Sequence, residues 1–208
     1  MTDDSIDDLR TRKAALRAQS LARRDDLDID DRLEWDVAIT QGVLATLDRV
    51  LAEPGRWGLR DGADGPVSAY WPMRSEADPR PVLEALHERG VELCLPATVA
   101  KQMIFRRWAP YEPLVPGGFG TLVPDPAQPE ITPRILLVPM AAFDARCHRI
   151  GYGAGYYDSA LARLPGAVTI GLAYAAQQVE AVPDEAHDRQ LDFIVTERGT
   201  FAASHSRG

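Results

Sequence analysis

The sequence predicts an α/β fold, a three-layer α/β/α sandwich in which helices cover both faces of a mostly parallel sheet. From about residue 67 onward, short apolar runs alternate with helical segments, which is the order typical of a parallel sheet. Residues 135–138 form an uninterrupted apolar run, the pattern of a strand that is covered on both faces. We therefore expect residues 135–138 to be the central strand.

Helical segments are marked by their composition and by the residues that end them. Residues 5–24 are rich in helix formers and follow several aspartates, whose negative charge favours a helix start. Residues 30–51 carry a helical apolar stripe, which consists of Leu33, Val37, Val43, Leu44, Leu47 and Val50. We expect two further helices, at residues 81–89, where Gly90 stops the helix, and at residues 155–164.

Strands are expected at residues 67–70, 91–95, 103–108, 135–138, 168–174 and 193–196. Pro96 is predicted to end the second of these strands. Residues 110–133 are dense in proline and glycine and are expected to form a long ordered loop, and such loops often carry function. The length of 208 residues favours a single domain, residues 1–208, over two small ones.

Composition and charge argue against several classes of protein. The net charge of −8 makes the chain repel nucleic-acid phosphates and anionic membranes, so we expect neither as a partner. No apolar run is long enough to span a bilayer, and the acidic start MTDDSIDD is unlike a signal peptide, so we expect the cytoplasm. Neither the two cysteines nor the four histidines have metal-ligand spacing, which argues against a zinc site.

The segment HRIGYGAGYYD, residues 148–158, places three glycines at alternate positions directly before a predicted helix. Glycines let the backbone approach an anion, and the free N–H groups of a helix start point towards it, so such a loop can cradle phosphate. The spacing is neither the dinucleotide fingerprint nor the Walker pattern. On glycine spacing alone, a tight turn whose tyrosines cap the core is the preferred interpretation.

Charged residues at both ends of this loop change that interpretation. Arg149 precedes the glycines and Asp158 follows them, so a cation for phosphate and a carboxylate for magnesium flank one loop. The pattern therefore predicts a site for a metal nucleotide. Tyr156 and Tyr157 can stack on a planar ring, although paired tyrosines are more often semi-buried packing residues.

Three other charged residues are ambiguous on their own. Lys13 and Arg17 place two cations on one face of the first helix, and such a pair is usually a solvated face. Glu76 lies in a loop after a predicted strand, where ligand sites form, and it can bind a donor-rich ring. A surface carboxylate without a ligand is the simpler interpretation of Glu76.

The segment before the last strand supplies two more carboxylates. We expect Asp188, Asp192 or both to lie near a site at the sheet edge, and Asp188 beside His187 is the stronger candidate. The serines and cysteines lack a G-x-S-x-G elbow or another nucleophile context, which gives covalent acyl chemistry little support.

Taken together, four segments resemble the 5-formyltetrahydrofolate cyclo-ligases, also called methenyltetrahydrofolate synthetases. They are KAALR, YWPMRSEADPRPVLEAL, LLVPMAAFDARCHRIGYGAGYYD and VPDEAHDRQLDFIVTE, of which the third is the most specific. The resemblance implies a sandwich similar to ribose-phosphate isomerase and CoA-transferase domains. It also implies an enzyme that uses ATP and Mg²⁺ to close 5-formyltetrahydrofolate to 5,10-methenyltetrahydrofolate, through phosphorylation of the formyl oxygen, with release of ADP and phosphate.

The resemblance implies roles for individual residues. ATP contacts are implied for Lys13, Arg17, Arg149, Gly151, Tyr152, Gly153, Ala154, Gly155, Tyr156 and Tyr157, and of these Arg149 and Lys13 are expected to act in catalysis. Asp158 and Asp188 match magnesium positions. Folate contacts are implied for Glu76, which would hold the pterin-type ring, and for Met73, Trp108, Phe119 and Tyr156.

The chain also departs from the family pattern. Tyr152 and Ala154 stand where some members carry basic residues, and Ser159 stands where many have arginine, so fewer cations are available for the nucleotide. Two alternatives stay open at this point: a sugar-phosphate isomerase, which would ignore ATP, and a non-catalytic protein that binds nucleotide or folate. The chain is expected to be a monomer or a homodimer.

Overall fold

The computed structural model describes residues 3–59, 65–184 and 188–204, apart from the side chains of residues 3–6 and 119. Within these residues lie four α-helices: α1 (Asp3–Asp25), α2 (Ile29–Ala52), α3 (Arg80–Glu88) and α4 (Tyr156–Arg163). All four helices were expected, and their observed ends lie one or two residues from the predicted ends. In the described part of the chain, no helix is both long and apolar enough to cross a membrane.

The described strands are β1 (Val67–Ser68), β2 (Leu93–Val99), β3 (Gln102–Arg107), β4 (Leu114–Pro116), β5 (Leu122–Pro124), β6 (Ile135–Pro139), β7 (Ala142–Phe143), β8 (Arg149–Ile150), β9 (Val168–Leu172), β10 (Phe193–Thr196) and β11 (Gly199–Ala202). Seven of them form a sheet in the order β11-β10-β9-β6-β1-β2-β3. Its five inner strands are parallel, and the edge strands β3 and β11 are antiparallel. The strand β6 is central, as expected.

Alternate residues of β6 pack into cores on opposite faces of the sheet. Ile135 and Leu137 belong to a core that also contains buried residues of α2 and α3. Leu136 and Val138 belong to the opposite core, which includes Leu161 of α4. Because successive side chains of a strand point to opposite faces, an uninterrupted apolar run is what a strand between two helical layers requires. The observed architecture is the α/β fold expected from the sequence.

The prediction that Pro96 ends its strand was wrong, because β2 continues to Val99. The carbonyls of Glu92 and Cys94 accept hydrogen bonds from the β1 side, so the nitrogen of Pro96, two residues on, faces the same side. Within β2, only Leu93 and Cys94 pair with β1. A proline without an N–H is tolerated there, because the β1 ladder has already ended.

Two other expectations need correction. Leu33 and Val37 of the predicted α2 stripe are 61% and 58% exposed, and Ile39 is buried instead. At about 100° per residue, Leu33 and Val37 lie about 80° and 120° around the helix from the buried Val43, so they are off the buried face. The edge strand β11 was missed, because its four residues are short, mixed in character and mostly exposed. The strands expected at residues 67–70 and 168–174 each end two residues earlier.

Candidate active site

The glycine loop, residues 151–155, connects β8 to α4. Gly153 and Gly155 have φ values of +99° and +68°, the left-handed region that favours glycine. Gly155 is the N-cap of α4, and no side chain among the described residues caps this helix. A helix start without a side-chain cap is the kind of helix end that can receive an anion, and Ala154 lies exposed beside it.

Two cations of α1 contact this loop or the Asp188 segment. The Arg17 Nε donates a hydrogen bond of 2.7 Å to the Gly151 carbonyl. Its guanidinium carbon lies 3.6 Å from the point that a Cβ on Gly153 would occupy. The Lys13 Nζ lies 2.5 Å from Asp188 Oδ2. The predicted pair on α1 thus packs against the protein rather than facing solvent.

Arg149 is a buried cation at the start of the loop, with a side chain that is 3% exposed. One terminal nitrogen lies 2.7 Å from Asp158 Oδ1, and the other donates to the Arg189 carbonyl at 2.7 Å. Its Nε is buried without a hydrogen-bond partner among the described residues. An unsatisfied donor on a buried cation fits an additional anionic ligand. Arg149 also connects α4 to the segment that begins with Asp188.

Both carboxylates with an expected magnesium role are already paired. Asp158 is bound to Arg149, and Asp188 is bound to Lys13. Among the residues that the structure describes, no group of three or more His, Cys, Asp or Glu residues is placed to hold a metal ion. Mg²⁺ is commonly bound by one or two carboxylates together with substrate phosphates, so these residues fit a shared site rather than an all-protein one.

Asp192, by contrast, has a structural role. It is 3% exposed, and its Oδ2 accepts hydrogen bonds from the backbone N and the hydroxyl of Thr169 at 2.8 and 2.9 Å. These bonds hold β9 against the start of β10. The expectation of a site role therefore survives for Asp188 alone, while its neighbour His187 lies outside the described residues.

Glu76 adjoins the glycine loop. It is 9% exposed, and its Oε2 accepts a hydrogen bond of 2.8 Å from the backbone N of Met73. Burial raises the pKa of Glu76, while the nearby Tyr152 side chain, the bond from Met73 and the charge of Arg24 oppose that rise. Tyr152 belongs to the glycine loop, so Glu76 lies close to that loop. This is a buried carboxylate, not a surface one.

The remaining predicted residues differ in their surroundings. Tyr156 and Tyr157 are partly buried against the α4 core, and burial, followed by the nearby charge of Glu76, raises the pKa of Tyr157. Trp108 is 5% exposed and packs against Trp71, with 5.9 Å between ring centroids. The indole N–H of Trp108 donates to the Glu112 carbonyl. Trp108 is thus a core residue, and the side chain of Phe119 lies outside the described residues.

Three residues of this region were not predicted. Arg24, Ser75 and Trp71 lie among the expected residues, and Arg24 and Ser75 are nearly inaccessible to solvent. Arg24 resembles any basic residue at a helix end in the sequence, so no local signal distinguishes it. A cavity of about 200 Å³ lies elsewhere, between β3 and the end of α4, and contains none of the predicted residues.

This fold and this loop define a class that is known from solved structures. The 5,10-methenyltetrahydrofolate synthetase of Aquifex aeolicus superposes with a TM-score of 0.74 at 26% identity, over 94% of this chain and 95% of that one. The synthetase of Mycoplasma pneumoniae has the same fold, with a TM-score of 0.69 at 22% identity, over 89% of this chain and 98% of that one.

Sequence comparison gives the family. The 5-formyltetrahydrofolate cyclo-ligase of Haemophilus influenzae is 29% identical over 139 residues, which is 62% of this chain and 74% of that protein. That of Mycolicibacterium smegmatis is 31% identical over 147 residues, 65% of this chain and 76% of that protein. The pattern of the 5-formyltetrahydrofolate cyclo-ligase family matches residues 10–197. The chain belongs to this family of ligases, as its sequence resemblance implied.

Proposed function

We propose that the protein closes 5-formyltetrahydrofolate to 5,10-methenyltetrahydrofolate in a reaction that consumes ATP and requires Mg²⁺, releasing ADP and phosphate. The observation that carries the proposal is that Arg24 hydrogen-bonds both to Tyr152 of the glycine loop and to Ser75, the neighbour of Glu76. It joins a loop suited to phosphate to a buried carboxylate suited to the N–H donors of a pterin-type ring. Two substrates of these kinds would therefore meet at one place.

The phosphate side of the proposed site is electropositive and preorganised. Lys13 and Arg17 lie on one face of α1, and Arg17 is bound to the glycine loop itself. Arg149 adds a buried guanidinium, and the start of α4 adds backbone N–H groups. Fixed donors of this kind stabilise charge that develops on a transferring phosphoryl group. Asp158 and Asp188 would hold Mg²⁺, which shields the negative charge of the phosphate oxygens.

The folate side supplies orientation. The Glu76 carboxylate is fixed by a hydrogen bond from the Met73 backbone, and it would accept hydrogen bonds from the ring. Because Glu76 is shielded from water, each bond to its charge would be stronger than at a surface. Met73, Trp108, Phe119 and Tyr156 stay predicted folate contacts, and of these Trp108 is a buried residue.

The chemistry needs no protein nucleophile. A formyl oxygen is a poor leaving group, so its attack on the γ-phosphate, with ADP leaving, converts it into a phosphate ester. The neighbouring folate amine then closes the ring on the formyl carbon, and phosphate departs. The chain offers no thiolate for another route in its two cysteines, because burial raises the pKa values of Cys94 and Cys147 to about 12.

The proposal is tested with an absorbance assay that follows the near-ultraviolet band of the methenyl product. We expect the band to rise only when 5-formyltetrahydrofolate, ATP and Mg²⁺ are all present. The positioning and charge effects invoked here act on the phosphoryl transfer, so omission of ATP should abolish the rise. No rise from folded protein would contradict the proposal, and nucleotide binding would then separate a binding protein from an isomerase.

Asp158→Asn is expected to increase the Mg²⁺ concentration needed for half-maximal rate by about tenfold or more, the loss typical when a group of a metal site is removed. The measurement is a magnesium titration of the initial rate at saturating ATP. Asp48→Asn is the matched control, since Asp48 in the second half of α2 forms an exposed ion pair with Arg89. An unchanged magnesium dependence would remove Asp158 from the metal role.

A cytoplasmic location, a single domain and a monomer or homodimer stay predictions.

A further inference from the structure

Arg24 is a buried cation for which the proposed reaction has no role. It lies in the last turn of α1, and it is 3% exposed. Its Nε donates a hydrogen bond of 3.0 Å to the Ser75 hydroxyl, and one terminal nitrogen donates to the Tyr152 hydroxyl at 2.7 Å. One guanidinium thus binds both the glycine loop and the loop that carries Glu76.

Tyr152 lies between Arg24 and Glu76. Its hydroxyl accepts the hydrogen bond from Arg24 and can donate to the Met140 carbonyl, which lies 3.5 Å away. Burial and the nearby charge of Glu76 raise the pKa of Tyr152, which keeps this hydroxyl protonated. Tyr152 as a whole is 42% exposed.

The other contacts of Arg24 fix its position. The Ser75 hydroxyl donates to the Asp25 carboxylate, which lies 3.9 Å from the Arg24 Nε. The guanidinium also lies over the Tyr152 ring, 5.9 Å from its centroid. Arg24 lies seven positions after Arg17, which is about 10 Å along a helix. One rigid helix therefore touches both parts of the proposed site.

We propose that Arg24 is a positioning residue that couples nucleotide binding to folate binding, because it holds the glycine loop and the Glu76 loop in a fixed relation through Tyr152 and Ser75. An anion that orders the glycine loop would thereby orient Tyr152 and, through Arg24 and Ser75, the loop that carries Glu76. The coupling rests on the proposed function, because it needs both ligands. It gives α1 a second role besides supplying phosphate contacts.

The test measures the dissociation constant of 5-formyltetrahydrofolate with and without Mg²⁺ and a non-hydrolysable ATP analogue. We expect the analogue to tighten folate binding to the wild-type protein by about 5-fold or more, within the usual range of coupling between sites. In Arg24→Lys the ratio should fall towards one, since an ammonium keeps the charge but lacks the planar fork that binds both loops. The reciprocal effect of folate on the analogue must match in each protein.

Two further variants keep the result interpretable. Tyr152→Phe removes the hydroxyl alone and should also lower the ratio, even where Arg24→Lys folds poorly. Arg23→Gln is the matched control, because Arg23 is an exposed neighbour on α1 whose hydrogen bonds go to the Ser20 hydroxyl and the Gln178 carbonyl, in neither loop. A merely structural Arg24 would lower the unfolding temperature and leave the ratio intact, and that result would overturn the coupling. A wild-type protein that binds neither ligand would overturn the proposed function itself.

Discussion

Replacing Arg149 by alanine is expected to lower kcat/KM by about 10³-fold or more, the lower end of what an arginine contributes to phosphoryl transfer. Arg149 is the buried cation of the loop, and its Nε has no hydrogen-bond partner among the described residues. Stability should fall by about 1–3 kcal/mol, because the Arg189 carbonyl and Asp158 lose their partner. The cost is moderate, since Asp158 is 33% exposed and water can solvate it.

Steady-state kinetics and denaturant unfolding together test this result. Arg163→Ala is the control, because Arg163 lies at the other end of α4 and donates to the Met103 carbonyl. The double variant Arg149→Met with Asp158→Asn removes both charges, so it should regain stability without regaining activity. An Arg149→Ala protein that is destabilised but keeps its kcat/KM would show that this arginine is purely structural.

Glu76→Gln is expected to weaken folate binding by about 10- to 100-fold, the loss of roughly 1.5–3 kcal/mol for bonds to a charged acceptor. The amide keeps the shape of the carboxylate but not its charge, and it accepts fewer hydrogen bonds from the ring. Nucleotide affinity should change much less, because Glu76 belongs to the folate side. Calorimetric titration with each ligand measures both effects, and an unchanged folate affinity would contradict the assignment.

The same variant should be more stable than the wild type near neutral pH. Burial raises the pKa of Glu76 above its ordinary value of 4.5, so the folded state holds this proton more tightly than the unfolded state. Wild-type stability therefore falls, relative to Glu76→Gln, as the pH rises from 4.5 through the folded-state pKa. A gain of about 1 kcal/mol would raise the unfolding temperature by about 2–4 °C. Below that window the two proteins should unfold at similar temperatures.

The sequence predicts the parts of the fold that depend on local patterns. The apolar run of β6, the helix ends and the glycine loop are all visible in short windows. Pro96 shows where local patterns fail. Whether β2 can continue through this proline depends on the length of the neighbouring strand β1, which the local sequence does not show. The prediction of which α2 residues are buried fails for a similar reason, because the sheet against which the helix packs decides which face of the helix is buried.

The candidate site divides in the same way. The loop and its flanking charges lie within eleven residues and can be recognised together. Arg24 and Tyr152 are 128 positions apart, and their hydrogen bond follows from tertiary packing alone. The positions of Lys13 and Arg17 could be inferred only from the family resemblance, since a pair of cations on a helix is otherwise a common surface feature.

The two ion pairs, Lys13 with Asp188 and Arg149 with Asp158, have a consequence for a chain with a net charge of −8. Under the proposed function, arrival of the nucleotide is a partner exchange, in which phosphate takes the cations and the freed carboxylates need a new counter-ion. A nucleotide that arrives with its metal brings that counter-ion, whereas a bare one leaves two acids uncompensated. Under the proposed function, the site therefore favours the metal complex over the free polyphosphate, because the metal compensates the charge of the two carboxylates.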